Sequence, residues 1–222
     1  MSSDLSLGVI GGTGHEGRGL ALRFALTGAT VTIGSRDDAR AVEMAARLRE
    51  QHPSAALEGA TNEDAIARSD IVILAVPFAY AGQTLDAHRE AFRPGALLVD
   101  VTVPVVFEGG AARFVEPPEG SAAEHVRTRL PESIPLACAF KTLPARLLEH
   151  VEMPLDCDEF VCGDSSASRD RAMALLRRLP GLRPVDAGPL ESARVLERMT
   201  LLAITLNKRY KRHHARFQVL GI

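Results

Sequence analysis

Leu5-Ser6-Leu7-Gly8-Val9-Ile10-Gly11-Gly12-Thr13-Gly14-His15-Glu16-Gly17-Arg18-Gly19-Leu20-Ala21 sets the frame for the rest of the chain. Leu5 to Ile10 is apolar enough for a short buried strand. From Glu16 to Leu26 the residues Leu20, Ala21, Phe24 and Ala25 recur at helical spacing until Gly28 ends the run. Between strand and helix lies Gly12-x-Gly14-x-x-Gly17. There the three glycines serve a tight turn, a close approach of backbone to a pyrophosphate, and contact between helix and sheet. The helix N-terminus adds free N–H groups and partial positive charge. Gly12, Thr13, Gly14, His15, Glu16 and Gly17 are therefore candidate cofactor ligands.

The next strand, Thr30-Val31-Thr32-Ile33, decides which dinucleotide is expected. A site for NAD places Asp or Glu at the end of that strand to take the ribose hydroxyls, whereas this chain has Gly34-Ser35-Arg36. A 2'-phosphate suits those residues better. Arg36 offers a planar fork of donors, Ser35 and Thr13 offer hydroxyls, and Arg40 adds a second cation one helical turn along. Asp37 or Asp38 is expected to cap the following helix.

Strands and helices continue to alternate. A short helix around Ala65 and Ile66 precedes Ile71-Val72-Ile73-Leu74-Ala75-Val76, an uninterrupted apolar run typical of a parallel strand covered on both faces. A helix from about Tyr80 to Ala91 and a strand over Ala96–Asp100 follow. The order implies an α/β fold, a Rossmann-type doubly wound parallel sheet, over residues 1–150. Phe107 to Gly120 is rich in turn formers and is expected to be a long irregular excursion, a lid or simply a loop. Residues 151–222 are expected to form a small C-terminal α/β module, with a strand around Phe160–Cys162 and a helix from about Ser168 to Leu179. The segment Leu190 to Leu206 is apolar on most sides, which predicts a helix buried between modules or subunits.

Composition bounds the function. The chain has 222 residues, 46% hydrophobic and 24% charged, and a net charge of -2. That charge excludes a generic nucleic-acid or membrane-surface binder, so any basic site must be local. The N-terminal residues have no basic n-region and the longest apolar run is far too short to cross a bilayer, so the expected location is cytoplasmic. Cys138, Cys157 and Cys162 form neither a CxxC pair nor an even disulfide set and are expected to be buried thiols. His213 and His214 lack a third ligand, and no metal is expected. The run Lys208-Arg209-Tyr210-Lys211-Arg212-His213-His214 reads as a solvated end or an attractor for an anionic group.

Beyond the glycine loop, the chain resembles the NADPH-dependent reductases of the deazaflavin coenzyme F-420. The resemblance rests on Gly11-Gly12-Thr13-Gly14-x-x-Gly17-x-Gly19-Leu20-Ala21, Gly34-Ser35-Arg36, Val76-Pro77, Val103-Pro104, Ser121-Ala122-Ala123-Glu124, Thr142-x-Pro144-Ala145 and Val161-Cys162-Gly163-Asp164. Its most specific segment is Gly181-Leu182-Arg183-Pro184-Val185-Asp186-Ala187-Gly188-Pro189-Leu190.

The resemblance implies a homodimer that passes a hydride directly between NADP(H) and coenzyme F-420, with residues 151–222 completing the deazaflavin cleft and the dimer interface. It implies NADP contacts from Val76, Pro77, Phe78, Val101, Leu143, Pro144 and Ala145. Deazaflavin contacts would come from Pro104, Lys141, Thr142, Leu143, Arg194, Arg198 and Thr200. Related chains carry histidine in place of Lys141 and a small hydroxyl residue in place of Arg198. Lys141 is the one catalytic candidate, as a cation beside the reduced ring, and Arg198 is a candidate for the coenzyme's phosphate or tail. Two other readings of the same Rossmann half remain: an NADPH-dependent reductase of a small carbonyl, imine or metal chelate, and a non-catalytic NADP-sensing binding protein.

Overall fold

The computed structural model describes residues 5–222. The first half alternates β1 (Ser6–Ile10), α1 (His15–Leu26), β2 (Thr30–Ser35), α2 (Asp38–Gln51), β3 (Leu57–Thr61), α3 (Asn62–Ala67), β4 (Ile71–Leu74), α4 (Phe78–Ala87) and β5 (Leu97–Asp100). There follow β6 (Val105–Glu108), β7 (Ala111–Phe114), α5 (Ala122–Arg129), β8 (Leu136–Cys138) and α6 (Ala145–Glu149). The chain closes with β9 (Cys157–Gly163), α7 (Ser166–Leu176), β10 (Leu182–Pro189) and α8 (Ala193–Arg209). Eight strands make one sheet in the order β10-β9-β8-β5-β4-β1-β2-β3, parallel throughout except between β8 and β9. The six strands from β3 to β8 have the doubly wound order, and the chain reverses direction of travel between β1 and β4. That is the crevice in which open α/β sheets bind ligands. Residues 151–222 add β9 and β10 to the edge of this same sheet and return α8 across the carboxyl ends of the strands.

Alternation along each strand divides the core into two layers. Leu7, Val9, Ile71, Ile73, Leu97 and Val99 pack with Leu20, Phe24, Leu147 and Leu176 on one face. Ile10, Val72, Leu74 and Leu98 pack with Ala65, Leu85, Val126 and Leu196 on the other. Asp100 follows Val99 in β5 and so belongs on the second face, under α8. It is fully buried there.

Three strands and the hairpin fall outside the sequence expectation. β3 contains Glu58 and Gly59, and β8 is only three residues long, so neither carries a readable apolar pattern. β10 holds Pro184, Gly188 and Pro189, which read as turn formers; the strand tolerates them because it lies at the sheet edge, where one row of N–H groups has no ladder partner. The segment after Phe107 is in part regular: β6 and β7 form an antiparallel hairpin turning at Gly109 and Gly110, with φ of 56° and 76°. Two residues of positive φ match the right-handed twist of a hairpin. α8 is one-sided: Ala193, Leu196 and Ala203 are buried while Val195 and Leu202 are exposed.

Phe24 is fully buried and meets the ring of Phe140 edge-on at 5.9 Å between centroids. Phe24→Ala leaves a cavity that the surrounding sheet and α1 cannot close. It should cost about 3–5 kcal/mol of unfolding free energy, read as a lowered urea midpoint with an unchanged slope.

Candidate functional site

The glycine loop turns at the carboxyl end of β1. The Gly12 N–H donates to the Val9 and Gly34 carbonyls, at 3.2 and 3.1 Å, which ties the loop to β2. A Cβ on residue 17 would come within 2.6 Å of the Gly11 carbonyl oxygen, so only glycine lets α1 start this close to the loop. Gly14 differs. A Cβ there would meet nothing but the Gly11 carbonyl oxygen, at 3.3 Å, and would otherwise occupy the space in front of the helix. Gly14 is also the N-cap of α1 and supplies no side-chain cap, so the first N–H groups of the helix face that space.

A cavity of about 360 Å³ opens there, lined by Thr13, Gly14, Ser35, Arg36, Arg40 and Asn62 together with Val76, Pro77, Tyr80 and Thr84. Arg36 and Arg40, separated by one helical turn, therefore serve one space. Arg36 stands over the Tyr80 ring, 5.6 Å from its centroid. Asp37 caps α2 by accepting from the Arg40 N–H, and the Ser35 hydroxyl accepts from the Asp37 N–H at 3.2 Å. Tyr80, Thr84 and Asn62 were not singled out from sequence. Asn62 is buried and its Oδ1 has no hydrogen-bond partner, an acceptor left over at the cavity wall. Its only sequence signal is its place directly after the helix-capping Thr61. Cationic donors, a glycine cradle and an unsatisfied acceptor fit an NADP adenosine end.

A second cavity, of about 330 Å³, shares Gly14, Ala75, Val76 and Pro77 with the first, so the two adjoin around the end of β4. Its walls are His15, Glu16, Phe78, Val101, Thr102, Val103, Val105, Phe107, Lys141, Leu143, Thr200 and Ile204. Beneath it lies a buried ionic cluster. The Lys141 ammonium donates to Asp100 Oδ2 at 2.8 Å and to the Thr102 carbonyl at 2.5 Å, and pairs with Glu197 Oε1 at 3.1 Å. Glu197 in turn accepts from the Ala122 and Ala123 N–H groups at the start of α5, at 2.9 and 3.2 Å. The Thr102 hydroxyl and N–H both donate to Asp100 Oδ1. Two carboxylates thus face one ammonium and the N-terminus of a helix, which balances the charge.

Burial alone would push Lys141 down, but the adjacent Asp100 and Glu197 carboxylates outweigh it and hold the ammonium above its ordinary range. Burial raises Glu197. Glu159 is likewise pushed up by burial, to about 7, against the opposing effect of the Thr142 hydroxyl, which donates to it at 2.7 Å. The Thr200 hydroxyl donates to the Lys141 carbonyl at 2.6 Å, so α8 and the turn after β8 are clasped twice.

The candidates named from sequence are therefore divided by the fold. Gly14, His15, Glu16, Val76, Pro77, Phe78, Val101, Lys141, Leu143 and Thr200 surround the second cavity. Pro144 and Ala145 line a neighbouring cavity of about 700 Å³ with Arg146, Lys208, Lys211, Arg212 and His213. Thr142 and Pro104 are buried: Thr142 is occupied by Glu159, and the Pro104 carbonyl accepts from the Val115 N–H at the foot of the hairpin. Arg194 pairs with Glu124, and Arg198 pairs with Glu116 at 2.8 Å over the Phe114 ring, so both lie outside the walls of the second cavity. Among the described residues no group of three or more His, Cys, Asp or Glu side chains is placed to hold a metal.

A doubly wound sheet with a glycine loop, an arginine pair at the β2 end and a second cavity across the switch point defines a dinucleotide-binding Rossmann protein. A family model described as NADP oxidoreductase, coenzyme F-420-dependent, matches residues 6–104. The F-420-dependent NADP reductase of Methanothermobacter thermautotrophicus is 39% identical over 98% of this chain and 96% of its own length. That of Methanocaldococcus jannaschii is 35% identical over 93% of this chain and 94% of its own. A crystal structure from Arthrobacter sp. FB24, assigned as an F-420-dependent NADP-reductase, superposes with a TM-score of 0.83 at 24% identity, covering 99% of this chain and all of that one. The chain belongs to the coenzyme F-420-dependent NADP oxidoreductase family.

Removing the ammonium tests the cluster. Lys141→Ala leaves Asp100 and Glu197 buried without their counter-ion and should cost about 3–5 kcal/mol of stability in denaturant titration.

Proposed function

We propose that this chain is an enzyme that transfers a hydride between NADP(H) and the deazaflavin coenzyme F-420. One observation carries the reading: the cavity that holds Ser35, Arg36 and Arg40 shares Gly14, Ala75, Val76 and Pro77 with a second that is walled by Phe78, Val101, Leu143 and Ile204. A dinucleotide anchored by its 2'-phosphate in the first would extend its nicotinamide past Gly14 into the second. The second coenzyme would enter from the side of Thr200 and Phe107. The nicotinamide supplies the hydride chemistry, and the chain supplies alignment. Arg36 and Arg40 grip the phosphate, the first N–H groups of α1 face the pyrophosphate, and the apolar walls keep water from the reacting carbons.

Lys141 acts from below as a tie between strand ends and α8, since its three donors are already directed to Asp100, Thr102 and Glu197. The basic rim of Arg146, Lys208, Lys211 and Arg212 beside the cleft suits the anionic phosphate and glutamyl tail of the coenzyme.

Residues 151–222 would complete this cleft through Thr200 and Ile204 of α8. Val195 and Leu202 stand two helical turns apart on one exposed side of α8, and we assign that side to a homodimer contact. The three cysteines are free and buried, which suits a reducing cytoplasm. No described helix is long and apolar enough to cross a membrane.

The assay follows NADPH oxidation and deazaflavin reduction together by absorbance. Turnover with coenzyme F-420 is expected in the purified protein. Turnover only with a carbonyl, imine or metal chelate would assign a different reductase, and tight NADPH binding without any turnover would indicate a sensor. Arg36→Ala should weaken NADP(H) by about tenfold, the value of one charge-assisted pair, and leave NAD(H) binding nearly unchanged.

A further inference from the structure

Glu16 stands where the chemistry of the cleft changes sign. It is the second residue of α1, half-buried, on the wall of the second cavity. Among the described residues its carboxyl makes no hydrogen bond and no ion pair, while every other carboxylate of the neighbourhood is spoken for: Asp100 and Glu197 by Lys141, Glu159 by Thr142, and Glu149 by Arg18 and His15.

Several charged groups act on Glu16. Glu159 of β9 and Asp100 of β5 oppose its ionisation, and Lys141 after β8 favours it. Glu197 and Thr200 come from α8, and His15, on its own helix, is turned to Glu149. Burial first, then the Glu159 and Asp100 charges, push the Glu16 carboxyl up to about 8 against the pull of Lys141. Without a cationic ligand beside it, the Glu16 carboxyl is thus biased toward its neutral form.

The nicotinamide ring carries a positive charge when oxidised and none when reduced. The two cavities meet at Gly14, and a dinucleotide that fills both brings that ring to the residues next after Gly14. We propose that Glu16 is a switchable counter-charge for the nicotinamide, protonated beside NADPH and ionised beside NADP+, and that it donates the proton that accompanies the hydride. As the hydride leaves NADPH with its electron pair, the ring becomes cationic and the Glu16 O–H bond breaks. The acceptor gains the hydride at carbon and the proton at a ring nitrogen. The Glu16 carboxylate then pairs with the oxidised ring and recovers a proton from solvent when NADP+ departs. Electrons and protons balance with no further reactant. The inference rests on the reading of the two cavities as one dinucleotide site.

Binding calorimetry of the unaltered protein tests it without turnover. NADP+ and NADPH are titrated separately between pH 6.5 and 9, in buffers of different ionisation enthalpy. The 2'-phosphate is common to both ligands, so its own proton exchange cancels in the comparison. NADP+ should release up to about one more proton than NADPH at pH 7. Its affinity relative to NADPH should rise by up to about tenfold per pH unit until Glu16 is ionised in the free protein, then level off. Glu16→Gln should abolish both the extra proton and the slope, while the phosphate's contribution persists. Equal proton release for the two ligands, or an extra proton that survives in Glu16→Gln, overturns the inference. Failure of both ligands to bind would instead overturn the dinucleotide site itself. The comparison within the unaltered protein stands even if the variant does not fold.

Discussion

The Lys141 ammonium joins three pieces of chain at one buried point: the end of β5 through Asp100, the first turn of α5 through Glu197, and α8, which carries Glu197. An ion pair between exposed groups would contribute little here, because water screens it. Inside the protein each partner must be matched, and the match is geometric. Three donors of one ammonium meet a carboxylate, a backbone carbonyl and a second carboxylate whose remaining lone pairs are taken by α5 N–H groups. The cluster fixes where α8 crosses the sheet. The position of Thr200 and Ile204, and so the depth of the cleft, follows from it.

Phe140 shows how the backbone accommodates that requirement. It has φ of 63°, a left-handed conformation that a bulky residue adopts only under constraint, and it is fully buried against Phe24. The turn it makes carries the chain from the Ala139 register of the sheet to Lys141 beneath Asp100. Packing of one aromatic pair thus holds a local strain of order 1–3 kcal/mol that delivers a charge to its partner. In this way the apolar layer on one face of the sheet supports the ionic layer on the other.

Charge is distributed unevenly on a chain of net charge -2. Arg36 and Arg40 lie in the first of the two adjoining cavities, and Lys208, Lys211 and Arg212 border the other side of the cleft. Most other arginines near the site, Arg18, Arg194 and Arg198 among them, are committed to carboxylates. A nearly neutral protein can therefore present two local cationic zones to two anionic coenzymes, between which lies a cleft whose walls are largely apolar. That arrangement allows phosphate and tail to be held by charge while the reacting rings meet away from water.

How much of this was legible in the chain depended on whether the responsible interaction was local. The glycine loop, the cap at Asp37 and the arginines after β2 are set by residues within one strand, turn and helix, so periodicity and turn chemistry revealed the Rossmann half and the place of Arg36 and Arg40 in it. The apolar run before Pro77 likewise announced a covered parallel strand. β8 and β10 did not announce themselves, because three residues carry no period and an edge strand tolerates proline. The site also depends on side chains far apart in sequence. Asp100, Lys141 and Glu197 are each an ordinary charged residue in its own segment, and only packing on the same face of the sheet turns them into one cluster. Arg194 and Arg198 looked equally eligible on the same helix, yet helical phase directs them to Glu124 and Glu116 instead. Sequence alone determined the fold class and put Ser35, Arg36 and Arg40 together at the end of β2, since those follow from backbone geometry and short-range chemistry. Tertiary structure decided which charges are buried, which are paired and, among the described residues, that Glu16 stands in the cleft without a partner, because desolvation and partnership exist only once the layers have closed.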